Sequence, residues 1–350
     1  MNDKLLNLIE KLNVTHSLSE AEYEYLIDNR DSQAAELLSK YAVAARTAIY
    51  GKDVYIRGLI EISNICKNDC YYCGIRKSNK KCERYRLTHE EILECVHEGY
   101  ALGFRTFVIQ GGEDAYYTDS VLCDIIGAIK SNYPDCAVTL SLGERSKSSY
   151  KRLFGAGADR YLLRHETADS EHYGLLHPQE LTLENRLQCL YDLREIGFQV
   201  GCGFMVGSPY QEARHIAKDL KFIESFKPDM CGIGPFIPHE STIFAEYGAG
   251  TVELTCYLLS IVRLIHPPVL LPSTTALGTI NPEGREQGIL SGANVVMPNL
   301  SPLSVRKKYE LYNNKISTGV ESAEGKADLE NRMNGIGYRV VTDRGDIKIN

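Results

Sequence analysis

The sequence predicts an α/β chain: a complete (β/α)8 barrel, with helices before it and a short extension after it. Three observations carry this reading. Eight apolar runs of strand length recur between residues 55 and 297. Seven amphipathic stretches of helix length separate them, so the alternation fills ~250 residues, the usual span of such a barrel. The runs are near-continuously apolar, as in parallel strands buried on both faces. A doubly wound open sheet has the same alternation and is the runner-up.

Residues 1–50 read as helical. Leu5, Leu6, Ile9 and Leu12 make one apolar stripe, and Ala34 to Ile49 makes another. The strand candidates are Tyr55–Ile62, Thr106–Gln110, Ala137–Leu142, Arg160–His165, Gln199–Met205, Met230–Gly234, Val269–Thr274 and Asn294–Met297. The intervening helices are Thr88–Leu102, Asp119–Ser131, Ser146–Phe154, Thr182–Ile196, Gln211–Phe226, Val252–Ile265 and Pro282–Leu290. Thr88, ahead of Glu90 and Glu91, can cap a first turn, and Gly103 and Gly197 sit where helices end. Beyond residue 300 the repeat stops. Asp328–Asn334 reads as a short helix, and Asp343-Arg344-Gly345 as the turn of a small hairpin. The expected organisation is thus a helical segment 1–50, a barrel 51–300 and an extension 301–350 packed on the barrel.

Composition narrows the function. The chain has 350 residues, 43% hydrophobic and 24% charged, with a formal charge of −7. That balance gives no field to attract nucleic acid or an anionic membrane, and no basic stripe is present. No run approaches the ~20 apolar residues of a membrane span, and Met-Asn-Asp-Lys is not an export signal. A cytoplasmic enzyme is expected. Eleven cysteines, an odd number, argue for reduced thiols rather than a disulfide framework.

Most of the cysteines are scattered, as packed core residues are. Cys66-Lys67-Asn68-Asp69-Cys70-Tyr71-Tyr72-Cys73 is different. It follows the first strand, at the end where barrel enzymes place their chemistry. Thiolates are the ligands iron–sulfur clusters need, and three in one short loop can hold three corners of a 4Fe–4S cube. One iron then stays open for the amino and carboxylate groups of S-adenosylmethionine (SAM). A reduced cluster passes one electron to the sulfonium and releases a 5′-deoxyadenosyl radical. Zinc is the rival metal, but a structural zinc site needs a fourth protein ligand, usually as two cysteine pairs. Three unrelated core cysteines is the bland reading.

Other constellations sit at the predicted strand ends. Gly111 and Gly112 let backbone approach a ligand, and Glu113 beside them can receive an ammonium. Glu166, in Arg164-His165-Glu166-Thr167, can accept from ribose hydroxyls. Arg186 is a candidate for a carboxylate partner, although on its own pattern it reads as a solvated helix arginine. Gly201 to Gly207, with Met205, offers extended backbone to adenine edges. Gly232 to His239, with Ile237, reads as an apolar wall with His239 at its rim. Thr274 and Thr275 offer hydroxyls to an anion.

Together these residues resemble the HydE maturases of FeFe-hydrogenase, within the radical SAM superfamily, over residues 50–315. The likeness includes the cysteine loop running into Gly74-Ile75-Arg76, then Arg84-Tyr85-Arg86, Gly112-Glu113-Asp114 and Tyr116-Tyr117. It continues through Ser141-Leu142-Gly143-Glu144, Ala158 to Thr167, Gly232 to His239, Thr274-Thr275-Ala276 and Met297-Pro298-Asn299. The resemblance implies SAM contacts from Tyr72, Gly111, Gly112, Glu113, Ser141, Glu166, Arg186, Met205 and Ile237. It implies a deeper substrate pocket near Thr139, Arg164, Thr274, Thr275, Tyr309 and Tyr312. It also implies a small sulfur-bearing iron–carbonyl–cyanide substrate, a one-electron donor, a partner radical SAM maturase and a GTPase scaffold. Some members carry a second cysteine trio near the C-terminus. Here residues 315–326 hold no cysteine, so one cluster is expected. The rival within the superfamily is a mutase of the methylornithine synthase type. Biotin synthase is a further relative whose extra ligands have no counterpart here. Outside catalysis, a metal-binding carrier module would not cleave SAM.

Overall fold

A computed structural model describes residues 2–319 and 322–348. Three helices, Asp3–Thr15, Glu20–Asp28 and Ser32–Tyr50, open the chain. The second packs on helix Ala213–Phe226 and the third on helix Val252–Ile265. Among the described residues no helix is long and apolar enough to cross a membrane.

The strands are β1 (Asp53–Ile56), β2 (Gly58–Ser63), β3 (Thr106–Gly111), β4 (Ala137–Ser141), β5 (Arg160–Leu162) and β6 (Gln199–Cys202). They continue as β7 (Met205–Val206), β8 (Met230–Cys231), β9 (Gly234–Pro235), β10 (Val295–Val296) and β11 (Arg339–Val341). A six-stranded parallel sheet runs β2-β3-β4-β5-β6-β8, with the order of the chain kept throughout. Every residue of β2 is buried, its polar Glu61 and Ser63 included. Helices between the strands cover the outer face. His89–Ala101 opens with the expected Thr88 cap: Thr88 Oγ1 accepts from Glu91 N, and the Glu91 carboxylate accepts from Thr88 N. Such a cap is worth about 1 kcal/mol.

Several runs are broken where the sequence suggested one strand, each for a local reason. Tyr55–Ile62 divides at Arg57, which is 1% exposed and turns its guanidinium inward onto Met230 Sδ at 2.8 Å. β1 then pairs with β10 and β11, while β2 pairs with β3. Gln199–Met205 divides at Gly203, where φ is +150° and an added Cβ would lie 2.0 Å from Gly232 O. Only glycine allows that approach. Val269–Thr274 makes single parallel bridges, Leu270 to Met230 and Pro272 to Val295. Pro272 has no N–H to extend the ladder. Thr275–Ile280 and Gly284–Leu290 form two helices where one was expected, and Ser170–Leu176 is a helix the periodicity did not reveal.

The terminal hairpin is corrected. Gly345 makes a turn at φ +59°, but no returning strand follows among the described residues. Side chains take up the backbone instead: Thr106 Oγ1 and Arg160 Nη2 both donate to Arg344 O, and Arg57 donates to Gly345 O. Asp346 pairs with Arg160 and Arg344. Burial alone would raise the Asp346 carboxyl, but the two guanidinium groups prevail and hold it at about 2. An unfolded aspartate titrates near ~3.9. The stabilisation is therefore complete above the unfolded value and is lost as pH falls through the folded one. Asp346→Asn should lose less stability than the parent between about pH 5 and pH 3, read from urea midpoints across that range.

Candidate functional site

The carboxyl ends of the parallel strands surround a cavity of about 370 Å3. Gly111 ends β3, Ser141 ends β4, and Arg164 and Glu166 follow β5. Met205, Ile237, Thr274, Thr275, Tyr309 and Tyr312 complete the wall, with Tyr72 and Cys73 at one side. Residues separated by up to 240 positions thus converge on one space of ligand size. Cys66, Cys70, Gly112 and Glu113 do not line it. Nor does Thr139. Its side chain lines a separate space of about 10 Å3 with Arg57 and Arg160, one layer deeper along β4.

The cysteine loop has no helix or strand, so its backbone needs other partners. Arg84 supplies them. Its guanidinium donates to Asn64 O at 2.5 Å, Ile75 O at 2.7 Å, Arg76 O at 2.7 Å and Asn79 O at 3.2 Å. Asn64 holds Tyr85 N at 2.8 Å, and Arg86 binds Asp114 through both nitrogens at 2.6 and 2.9 Å. The separate motifs around Cys66, Arg84 and Gly112 are therefore one assembly.

Three thiols stand together in this loop, and burial pushes all of them up. Burial carries Cys73 to about 12 and lifts Cys70 well above the usual thiol range, with Cys73 beside Cys70 adding to its rise. As free thiols they would stay protonated. A donor set of this kind takes on its ligand character with a metal centre to carry the charge. Among the described residues no three Cys, His, Asp or Glu side chains converge on a point for a single ion.

Around the cavity the acids already have partners. Glu113 Oε2 lies 3.0 Å from Lys67 Nζ, and its Oε1 accepts from Glu144 N at 3.0 Å. Gly143 packs against Glu113, where an added Cβ would be 2.1 Å from Oε1. Arg186 is not a solvated helix arginine. It is 8% exposed, its Nε lies 2.6 Å from Glu144, and Nη1 donates to Arg164 O at 3.1 Å. Burial works against its charge, but Tyr173 and Glu144 keep it ionised. Glu166 has φ +67°, a strained value for a residue with a side chain. Its backbone is fixed by Gly203 O at 3.0 Å and Met205 N at 3.3 Å. Behind it, His165 Nε2 meets the fully buried Asp219 at 3.1 Å. Burial lowers His165 to about 3, so the ring is neutral.

Residues 60–223 match the Radical SAM superfamily model. The [FeFe] hydrogenase maturase subunit HydE of Thermotoga maritima is 44% identical over 309 residues, 88% of each chain. The chain belongs to the HydE family of radical SAM enzymes. The 3-methylornithine synthase of Methanosarcina acetivorans is 26% identical over 82% of this chain and 81% of its own. The crystal structure of methylornithine synthase (PylB) superposes with a TM-score of 0.83 at 23% identity, covering 95% of this chain and 97% of that one. That likeness is one of fold.

In this HydE-family cavity, two wall residues had no place in the sequence reading. Glu61, fully buried on β2, pairs with Lys315 and accepts from Asn299 Nδ2 at 2.9 Å. Lys315 also donates to Tyr309 O at 3.1 Å. A lone carboxylate inside an apolar strand was the available signal, because such charge is costly to bury unpaired. Nothing near Lys315 in sequence marks it, since its partner lies 254 residues away. Removing one member of a buried pair typically costs 3–5 kcal/mol, whereas removing both often costs far less. Lys315→Met should therefore destabilise by about 3 kcal/mol, and adding Glu61→Gln should recover part of it. Urea unfolding of both single variants and the double variant measures the coupling, and strict additivity would exclude it.

Proposed function

We propose that this enzyme reductively cleaves SAM and acts in assembly of the FeFe-hydrogenase H-cluster, on a small sulfur-containing iron–carbonyl–cyanide precursor. The 44% identity to a HydE maturase across 88% of both chains carries this reading. A mutase of the methylornithine synthase type is the alternative, and the lower identity of 26% weighs against it. Single-residue bridges at Leu270, Pro272 and Asn299 support a closed eight-stranded barrel at 51–300, between the helices of 1–50 and the extension of 301–350.

Cys66, Cys70 and Cys73 are the proposed ligands of a single 4Fe–4S cluster. When bound, it supplies an open iron for SAM and the electron that splits the sulfonium. The chain's own residues orient and enclose. Gly111 and Gly112 bring backbone close, Glu113 receives the methionyl ammonium, and Arg186 faces its carboxylate. Glu166 takes ribose hydroxyls, Tyr72, Met205 and Ile237 bound the adenine, and Ser141 adds a hydroxyl. Tyr72 is itself fixed, 3.3 Å from His177 Nε2. Arg164, Thr274, Thr275, Tyr309 and Tyr312 face the substrate, with Thr139 beneath. Thr274 Oγ1 is buried without a hydrogen-bond partner, so it is free to meet a ligand. A one-electron donor, a partner radical SAM maturase and a GTPase scaffold complete the proposed setting, in the cytoplasm.

Alanine at any one of Cys66, Cys70 or Cys73 should abolish cluster assembly and 5′-deoxyadenosine formation. The reconstituted parent should carry about four irons. About eight, with the spectra of two clusters, would overturn the single-cluster reading. The functional test is anaerobic maturation of apo-hydrogenase with the other maturases and SAM, with and without this enzyme. Hydrogen should evolve only in its presence. No hydrogen despite SAM cleavage would mean a different substrate, and formation of methylornithine would identify the mutase.

A further inference from the structure

Residues 67–86 carry seven basic side chains against two acidic ones, in a chain whose net charge is −7. Most of the seven have partners. Lys67 lies on Glu113 at 3.0 Å, Arg76 on Asp69 at 3.8 Å and Arg86 on Asp114 at 2.6 Å. Arg84 is spent on backbone carbonyls. Lys77, Lys80 and Lys81 remain: all three are exposed, and among the described residues none has a carboxylate within ion-pair distance.

Their loop is built onto the cysteine loop. Lys77 N donates to Asn68 O at 2.8 Å, Ser78 N to Asp69 Oδ1 at 3.0 Å, and Asn79 Nδ2 to Gly74 O at 2.7 Å. The lysines are thus held beside Cys70 and Cys73 by short contacts. Tyr72 and Cys73 line the cavity, Cys66 and Cys70 do not, and all three cysteines are half-buried. The lysine loop is therefore tied directly to the cysteine loop, whose Cys73 also borders the cavity.

We propose that Lys77, Lys80 and Lys81 form the docking surface for an acidic one-electron donor protein. The proposal rests on the reading of the three cysteines as cluster ligands. One electron leaves the donor, which is oxidised by one electron, and one is consumed for each SAM carbon–sulfur bond broken. Charge complementarity of this kind acts on encounter rate and is screened by salt.

The experiment compares the reconstituted parent with Lys77→Glu/Lys80→Glu/Lys81→Glu and with the milder Lys77→Gln/Lys80→Gln/Lys81→Gln. 5′-Deoxyadenosine formation is driven either by dithionite or by reduced flavodoxin, an acidic flavin protein, at low and high salt. Flavodoxin association is measured separately by interferometry. With dithionite the three proteins should match. With flavodoxin the glutamate variant should fall roughly tenfold in rate and association, the glutamine variant less, and salt should weaken only the parent strongly. Equal flavodoxin rates and affinities in all three would overturn the proposal. So would an equal loss with both reductants, which would place the lysines in service of the site itself, or parent binding to another maturase but not to flavodoxin. A parent that makes no 5′-deoxyadenosine even with dithionite would instead overturn the cluster reading.

Discussion

A loop that presents three thiols cannot also be a helix or a strand, so its backbone groups must find partners elsewhere. Arg84 resolves that constraint by donating to four carbonyls between Asn64 and Asn79. A single planar cation thereby replaces the ladder that regular structure would have provided. Lysine could not, since it lacks the fixed fork of donors. The arrangement then extends outward. Asn64 ties Tyr85, Tyr85 donates to Glu61 O at 2.7 Å, and Arg86 ties Asp114 and with it the turn that holds Glu113. The cysteine loop, β2 and the turn after β3 are positioned as one body.

The same economy explains which parts of the molecule were legible in the sequence. Parallel strands buried on both faces leave unmistakable apolar runs, and helix caps such as Thr88 leave local signatures. Breaks within those runs depend on what lies opposite. Gly203 passes Gly232, and Arg57 reaches Met230 and Gly345, and neither neighbour is near in sequence. The turn at Asp343-Arg344-Gly345 had the chemistry of a hairpin, but Arg160 and Thr106 satisfy its backbone from the sheet.

The site divides in the same way. The cysteine spacing, the paired glycines and the Arg164-to-Thr167 run are contiguous, so the sequence places them at strand ends, while their roles rest on the family resemblance. Arg186 was misleading, because its local pattern is that of a surface helix. Glu144 and Arg164 bring it inside. Glu61 was visible as an anomaly, but its meaning required Lys315 from the extension. Thr139 alternates correctly along β4 yet sits a layer too deep to reach the main cavity.

The charges around the cavity impose a final constraint on any ligand. Glu61 faces Lys315, Arg164 Nη2 lies 3.1 Å from Glu166, and Arg186 Nε lies 2.6 Å from Glu144. The last two pairs are close as ions but poorly aligned as hydrogen bonds, since those atoms have no hydrogen-bond partner. They are attracted without being saturated. A purely anionic or cationic ligand would leave one member of such a pair unpaired in a dry site, which is costly. A zwitterion brings its own opposite charges, so each end can meet one member of such a pair. That requirement agrees with the proposed assignment of Glu113 and Arg186 to the ammonium and carboxylate of an amino-acid-like ligand, the methionyl end of SAM.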